Sequence, residues 1–508
     1  MKNLLLVILF LFYNSIYCFG QFYTNKNVVD YFEQNYERVP VTSIAIKHNE
    51  LINELKKLTL DKNIFLIEEI GKSYEGRSIN LIKIGNGDIR ILLWSQMHGD
   101  EPTATLAILD ILRFIEKNKN DEVVKFILKK LEILIIPMLN PDGADRFTRR
   151  NAQDIDINRD ALRLQTPEGR ILKGIRDKYN PLFAFNLHDQ EPYYSNSTCD
   201  SLIGLALLAP AYDEQKSTND VRKRAKQIVA FIYNSLQKYL PGKIAEYDDE
   251  FEKRAFGDNM QLWGSSTILI ESGGFKNDPG KEYLRKMNFI ALLSSFVAIA
   301  DNSYTNISVE EYDKIPKNKR KYCDLLIKNG EVVSTNGNYI IDIAINYEKD
   351  LSTSPAKYYK GKIIDLGDLS NYKGINEIDA TGYLIYPGKF SILLSLDSLK
   401  SKNFIVDLLL NGVTNLITNY NFSLEEKLPF NVVKVGSSAF EWLKNNVNEK
   451  CFYFSNLEKN SFIKDNVFLS HYKIGLGYPA NLFLVRGKDK IVIIQGMIKY
   501  YNGELLNF

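Results

Sequence analysis

The chain has 508 residues, 45% hydrophobic and 25% charged, enough for two or three domains and balanced like a soluble globular protein. Its 64 Lys+Arg stand against 62 Asp+Glu, so no basic excess points to nucleic acid or an anionic membrane surface.

Lys2 leads into the apolar stretch Leu4 to Tyr13, then polar Asn14 and Ser15, then Cys18-Phe19-Gly20-Gln21. That stretch is well short of the roughly 20 residues needed to span a bilayer. A charged start, short apolar middle and small residue predict a signal peptide over residues 1–20, cleaved after Gly20. The expectation is export, to the periplasm or outside the cell, with no stable membrane insertion after cleavage. Bulky Tyr17 before Cys18 argues against lipid anchoring. Cys199, Cys323 and Cys451 remain, an odd set without close spacing, so no disulfide framework is predicted.

Residues 24–300 alternate helical and strand-like segments. Ile44, His48, Leu51, Ile52 and Leu55 recur at helical spacing over 44–58. Strands are predicted at 64–67 and 79–84, joined by the turn Ser73-Tyr74-Glu75-Gly76-Arg77, and at 91–94. A helix comes next over 102–115, with Pro102 in its first turn. Further strands are expected at 131–137, 182–187 and 266–270, and helices at 167–179, 221–240 and 280–300. This alternation predicts an α/β fold, a mixed, mostly parallel sheet with helices on both faces. Polar residues 301–322, rich in lysine, read as a linker. Beyond them, short strands broken by Gly and Asn, with two or three helices between 395 and 450, predict a β-rich α+β domain over 323–508. There is no 20–50-residue repeat.

Four polar groups stand where apolar strands end. His98 and Glu101 lie in Ser95-Gln96-Met97-His98-Gly99-Asp100-Glu101 after Ile91-Leu92-Leu93-Trp94; His188 follows Phe183-Ala184-Phe185-Asn186-Leu187; Glu271 follows Ile268-Leu269-Ile270. Strand ends are where open α/β sheets place their chemistry. Two imidazoles and a carboxylate suit a catalytic zinc with one open position. A lone His-x-x-Glu is usually just a solvated face, but two of only four histidines fall here.

Between these clusters lie Asn140-Pro141-Asp142-Gly143, Thr148-Arg149-Arg150-Asn151 and Asp156-Ile157-Asn158-Arg159-Asp160, with Gly71-Lys72-Ser73-Tyr74-Glu75-Gly76-Arg77 upstream. In this order the set resembles the zinc metallocarboxypeptidase family over about residues 24–300. The resemblance implies a metallocarboxypeptidase-like fold and one Zn²⁺ per chain on His98, Glu101 and His188. It implies Glu271 as general acid–base for a zinc-activated water, and Arg149 as the oxyanion donor. Asn158 and Arg159 would grip a terminal carboxylate, for which a planar guanidinium is suited. Tyr247 is the candidate for the family's mobile tyrosine, and Phe256, Asp258 and Trp263 are candidates for the pocket reading the departing residue.

Asp100 gives His-Gly-Asp-Glu, which resembles bacterial amidases and aspartoacylase-like deacylases rather than digestive members. Asp160 and Asp189 replace the family's usual Asn and Ser, and extra acid there would favour a substrate with an amino or guanidino group. The implied reaction is hydrolysis of a C-terminal bond in a peptide or peptidoglycan-derived substrate. An N-acyl amino acid deacylase or amidase, and a non-catalytic carboxylate-binding module, are the alternatives. The segments around 324–388 and 475–485 look like the β-sandwich of metal-dependent amidohydrolases, but Lys389-Phe390-Ser391 stands where His-x-His should come after Pro387-Gly388. His471 is the only histidine in this half, so no second metal centre is expected.

Overall fold

The computed structural model describes residues 25–41, 45–58, 64–196, 201–278, 280–350, 358–419, 429–447, 450–453 and 474–506. The expected signal peptide, Cys199 and His471 lie outside these. The chain forms two compact units, residues 1–320 and 321–508.

In the first unit, α1 (Asn25–Gln34) and α2 (His48–Leu58) precede β1 (Phe65–Lys72), β2 (Ser78–Ile84) and β3 (Ile89–Trp94). Then come α3 (Thr103–Lys117), α4 (Glu122–Lys130), β4 (Leu131–Ile136), α5 (Pro141–Arg146) and α6 (Pro167–Tyr179). Next are β5 (Phe183–Asp189), β6 (Tyr194–Asn196), β7 (Leu205–Leu208), α7 (Asp220–Leu236) and β8 (Ile244–Glu246). α8 (Phe256–Leu262), β9 (Ser266–Ser272), α9 (Glu282–Ala300), α10 (Glu310–Asp313) and β10 (Asn318–Arg320) complete it.

Eight strands form one sheet in the order β1-β2-β4-β3-β5-β9-β7-β8. Four of its seven neighbouring pairs are parallel, including β4–β3, β3–β5 and β5–β9 in the centre. Alternate strand residues face opposite sides, because successive side chains on a strand point opposite ways. Ile91, Leu93, Phe183 and Phe185 join a core with α1, α3, α7 and α9. Leu92, Trp94, Leu134 and Ala184 join a second core with Leu172 of α6 and Phe256 and Met260 of α8. Helices thus cover both faces, as the alternation predicts. α9 is long and apolar enough to cross a membrane, but it is buried in this core.

Local differences have local causes. Helix α2 starts at His48, not Ile44, and residues 42–44 lie outside the described set. Helix α4 is additional to the predicted elements; Val123, Val124 and Ile127 give it only one narrow buried stripe. Asn140-Pro141-Asp142-Gly143 is the start of α5, where the Asn140 side chain accepts the Gly143 N–H and Pro141 takes the first turn. The 301–322 stretch is not a free linker through residue 320. Tyr312 and Ile315 are buried in the first unit's core, and Gln227 donates to the carbonyls of Thr305 and Ile307.

The second unit holds a nine-stranded sheet. β11 (Tyr322–Val332), β12 (Tyr339–Asp350), β13 (Tyr358–Gly367), β14 (Lys373–Asp379) and β15 (Leu384–Pro387) supply five strands. β16 (Lys389–Ile392), β17 (Val413–Thr418) and β18 (Asn431–Lys434) form a separate three-stranded parallel sheet, with α11 (Lys402–Leu410) before β17 and α12 (Ser437–Asn446) after β18. β19 (Leu482–Arg486), β20 (Asp489–Ile494), β21 (Met497–Tyr501) and β22 (Glu504–Leu505) complete the larger sheet. This is the β-rich α+β pattern expected.

Candidate metal and catalytic site

The carboxyl ends of β3, β5 and β9 lie side by side, with Trp94 opposite Asn186 and His188 opposite Glu271. The register therefore sets His98, His188 and Glu271 at one sheet edge. The loop after β3 can fold tightly because a Cβ at Gly99 would lie 2.0 Å from the Gly143 carbonyl carbon. Gly99 thus lets the His-Gly-Asp-Glu loop pack on the turn that opens α5.

The other motifs knit into a second layer. Buried Asp142 accepts from the Ser73 hydroxyl at 2.7 Å, the Glu75 N–H at 3.0 Å and Arg77 at 2.7 Å. Glu168 accepts from the Tyr74 N–H at 3.2 Å and from Asn151 at 3.1 Å. The lead-in turn at 73–77 and the Asn-Pro-Asp-Gly segment are therefore one rigid floor.

His98, Glu101 and His188 are buried, and their candidate ligand atoms lie within 4.8 Å of one another; among the described residues no other such group occurs. His98 Nδ1 faces Glu101 Oε1 at 2.8 Å, and His188 Nδ1 faces Glu101 Oε2 at 2.6 Å. His98 Nε2 meets Asp156 Oδ1 at 3.1 Å; a carboxylate only accepts, so that nitrogen carries the proton. Nδ1 then presents its lone pair to the Arg149 guanidinium at 3.1 Å and also to the Glu101 carboxylate, and a lone pair facing a carboxylate calls for a proton or a cation between them. Without a cation the ring takes the proton, and its pKa is pushed up to about 9: burial opposes this, but Glu101 and Asp156 outweigh it. Burial also disfavours the charged form of Glu101, yet the two imidazoles hold its carboxyl well below the usual range. Two imidazole nitrogens and one carboxylate, with a second carboxylate orienting an imidazole from behind, fit Zn²⁺.

Asp156 stands in the Asp-Ile-Asn-Arg motif, where sequence alone assigns it no role. It caps a short 3-10 turn through the Asn158 N–H at 2.9 Å and pairs with Arg149 Nη2 at 3.1 Å as well as holding His98. Arg149 also reaches Glu101 at 3.3 Å, so it stands beside the candidate metal donors. Asn158 Oδ1 accepts the Phe256 N–H at 2.9 Å, leaving its amide nitrogen for a ligand. Arg159 pairs with Glu252 at 3.3 Å.

Glu271 is buried. Its carboxyl is raised well above the usual carboxylate range, first by burial and next by Glu101. The Tyr247 hydroxyl is also shifted upward, first by the charge of Glu271 and next by burial, so the two share one environment. His98, Arg149, Arg159, His188, Tyr247 and Glu271 all line a single cavity of 1150 Å³. With Glu101 and Asn158 on the same wall, the structure gathers every candidate metal, catalytic and clamp residue around that space.

Two expectations about pocket chemistry are corrected. Asp160 does not line the cavity: it is buried, accepting the N–H groups of Gln165 and Thr166 and the Thr166 hydroxyl. Phe256 is core, stacked edge-on against Trp263 at 6.2 Å, and neither lines the cavity; Asp258 does. Asp189 lines it too but is already held by Thr103 at 2.6 Å and Lys281 at 3.2 Å. Sequence reasoning missed Lys281, which stands in a left-handed backbone conformation (φ 53) and donates to the Ser272 carbonyl at 2.8 Å.

Residues 51–203 match the sequence model of the zinc carboxypeptidase family. Carboxypeptidase 2 of Trichophyton rubrum is 33% identical over 101 residues, 20% of this chain and 18% of that protein. Carboxypeptidase SOL1 of Arabidopsis thaliana is 30% identical over 162 residues, 27% of this chain and 33% of that protein. The chain therefore spans no more than a third of either relative. Among solved structures, a metallo-carboxypeptidase from Burkholderia cenocepacia superposes with a TM-score of 0.40 at 14% identity, covering 50% of this chain and 69% of that one. Over residues 51–203, which carry His98, Glu101, His188, Arg149, Asn158 and Arg159, the chain matches the zinc carboxypeptidase family.

Proposed function

We propose that this protein is an exported zinc-dependent metallocarboxypeptidase that removes the C-terminal residue of peptides, cell-wall stem peptides included. The observation that carries this reading is the convergence of His98, Glu101, His188 and Glu271 on one cavity that also holds Arg149 and Arg159. The metal, when bound by the three donors, polarises the scissile carbonyl and acidifies a water. Arg149 offers its guanidinium to the oxyanion, beside the donor set that fixes it. Arg159 and the Asn158 amide bind the substrate's terminal carboxylate, which displaces Glu252 from Arg159. Glu271, not part of the metal donor set, takes a proton from the attacking water and returns it to the leaving amine. The N-terminal apolar segment supports export, and the Lys389-Phe390-Ser391 stretch in the second unit, without metal-ligating histidines, supports a structural or substrate-binding role rather than a second catalytic centre.

The test is a pair of peptides differing only in a free or amidated C-terminus. The free acid is expected to be cleaved on the order of 100-fold better in kcat/KM, with Arg159→Ala erasing most of that difference. Equal cleavage of both would mean an endopeptidase or deacylase, and the clamp would be wrong.

The charges on the cavity wall support a basic terminal residue as the one read. Each cation on its wall has an acidic partner: Arg149 has Asp156 and Glu101, Arg159 and Arg254 have Glu252, Lys253 has Glu214 and Lys281 has Asp189. Asp258, like Asp100, Asp248, Glu250 and Glu271 on the same wall, has no ion-pair partner among the described residues, and burial pushes its carboxyl up to about 7. A basic terminal side chain would supply the missing charge. Peptides ending in Lys or Arg are expected to be favoured about tenfold over those ending in Leu, the size of one charge-assisted hydrogen bond. Asp258→Asn should abolish that preference; if the preference survives, another group reads the side chain.

A further inference from the structure

The segment expected to be a linker ends against the rim of the cavity. β10 pairs antiparallel with β6, setting Asn318 opposite Asn196, Lys319 opposite Ser195 and Arg320 opposite Tyr194. Asn318 Nδ2 donates to Gln190 Oε1 at 2.7 Å, and Arg320 pairs with Glu191 at 2.6 Å while lying over the Tyr193 ring. The same few residues grip the opposite wall. The Glu246 N–H donates to the Pro316 carbonyl at 2.8 Å, Lys317 pairs with the buried Glu246 carboxylate at 2.5 Å, and Tyr312 donates to that carboxylate at 3.1 Å.

These contacts border the cavity. Gln190, Glu191 and Tyr194 come soon after His188 and line it; Tyr247, adjacent to Glu246, lines it from the other side. The 190–196 segment is anchored at its ends: the Gln190 N–H donates to the Ser272 carbonyl at 3.0 Å, the Ile203 N–H to the Tyr194 carbonyl at 2.9 Å, and the Asn196 amide to the Gly242 carbonyl at 3.1 Å. Among the described strands, β6 is laddered to β10 alone. A two-stranded ribbon is marginal by itself, so each strand depends on its neighbour. The metal donors, by contrast, sit on central strands of the large sheet and on the Asp142 floor, neither of which involves residues 316–320.

We propose that residues 316–320 are a positioning strap for the substrate-binding rim, with Asn318 fixing Gln190 and Lys317 fixing the Glu246–Tyr247 wall. The strap touches neither the metal donors nor Glu271. Its effect falls on binding of substrate that extends along the rim, and the bond-breaking step is left alone. The kinetic consequence rests on the carboxypeptidase reading; the positioning itself does not.

The experiment uses the full-length, zinc-loaded protein and compares the wild type with Asn318→Ala, Asn318→Asp and Lys317→Ala. Hydrogen–deuterium exchange reads positioning directly. Amides in 190–196 are expected to exchange about tenfold faster in Asn318→Ala, and those at 246–248 in Lys317→Ala, while 91–101 stay unchanged. Asn318→Asp should stay close to wild type, because the Gln190 amide can turn its Nε2 toward a carboxylate acceptor. For peptides of four or more residues, KM should rise about fivefold in Asn318→Ala with kcat within about twofold, and dipeptide-length substrates should be unaffected. Unchanged exchange at 190–196 would overturn the strap. So would faster exchange throughout the first unit, or loss of zinc, since either marks a general stability role. If the wild type cleaves no peptide, the functional reading fails while the exchange result still decides the strap.

Discussion

Glu271→Gln is expected to lower kcat about a thousandfold while leaving zinc bound, the usual cost of removing a general base being 10²–10⁴. Glutamine keeps the shape and the buried position on β9 but cannot take a proton. Glu271 stands opposite His188 in register, close enough for Glu101 to raise its carboxyl, yet it is outside the set of three metal donors. The variant should therefore bind substrate with little change in KM and retain one equivalent of zinc by elemental analysis. Activity within about tenfold of wild type, roughly 1.4 kcal/mol of barrier, would mean that another group moves the proton. Loss of zinc would instead make Glu271 part of the metal site. If the wild type turns over no peptide or acyl amino acid but still binds free carboxylates, the chain is a binding module.

The second large effect is on the metal. The wild type is expected to hold one Zn²⁺ per chain, and His98→Ala with His188→Ala to hold none. Removing both imidazoles leaves Glu101 without the two groups that keep it ionised, in a cavity already lined by Asp100, Asp189 and Glu271. Because a ligand that binds only the folded state stabilises it, chelation should lower the wild-type melting temperature. At a free metal concentration 100 times Kd the stabilisation is about 2.7 kcal/mol. The double variant should melt at one temperature with or without chelator. Two equivalents in the wild type, or one retained in the double variant, would show a metal site elsewhere in the chain.

How much of the molecule is legible in its sequence depends on how far apart the interacting residues are. Strand and helix identity in the first unit comes from periodicity, which is local: the apolar runs at 91–94, 183–187 and 268–270 are strands in the structure. The site is legible because His98 and Glu101 lie in the loop after the first run, His188 closes the second and Glu271 closes the third, so a strand end can be read from the chain alone. Asn140-Pro141-Asp142-Gly143 is less so, since these four residues open a helix or make a turn according to the residues downstream.

The remaining assignments are non-local. Asp156 and Asp160 are four residues apart and chemically alike, but one holds His98 and Arg149 while the other accepts from Gln165 and from Thr166, the residue that caps α6. Phe256 and Asp258 are neighbours on one short helix, and only the helix's packing sends the first into the core and the second to the cavity. The lysine-rich stretch before residue 321 has the composition of a linker, yet its residues 318–320 pair with β6, about 120 residues earlier in the chain. The sequence by itself determined the donor types, their order and the strand ends that bear them, because those depend on neighbours along the chain. Only the tertiary structure decided which carboxylates serve the metal, which wall reads the substrate and which segment holds that wall. Each of these depends on surfaces brought together from 50 to more than 100 residues apart, for instance His98 with Asp156 and Gln190 with Asn318.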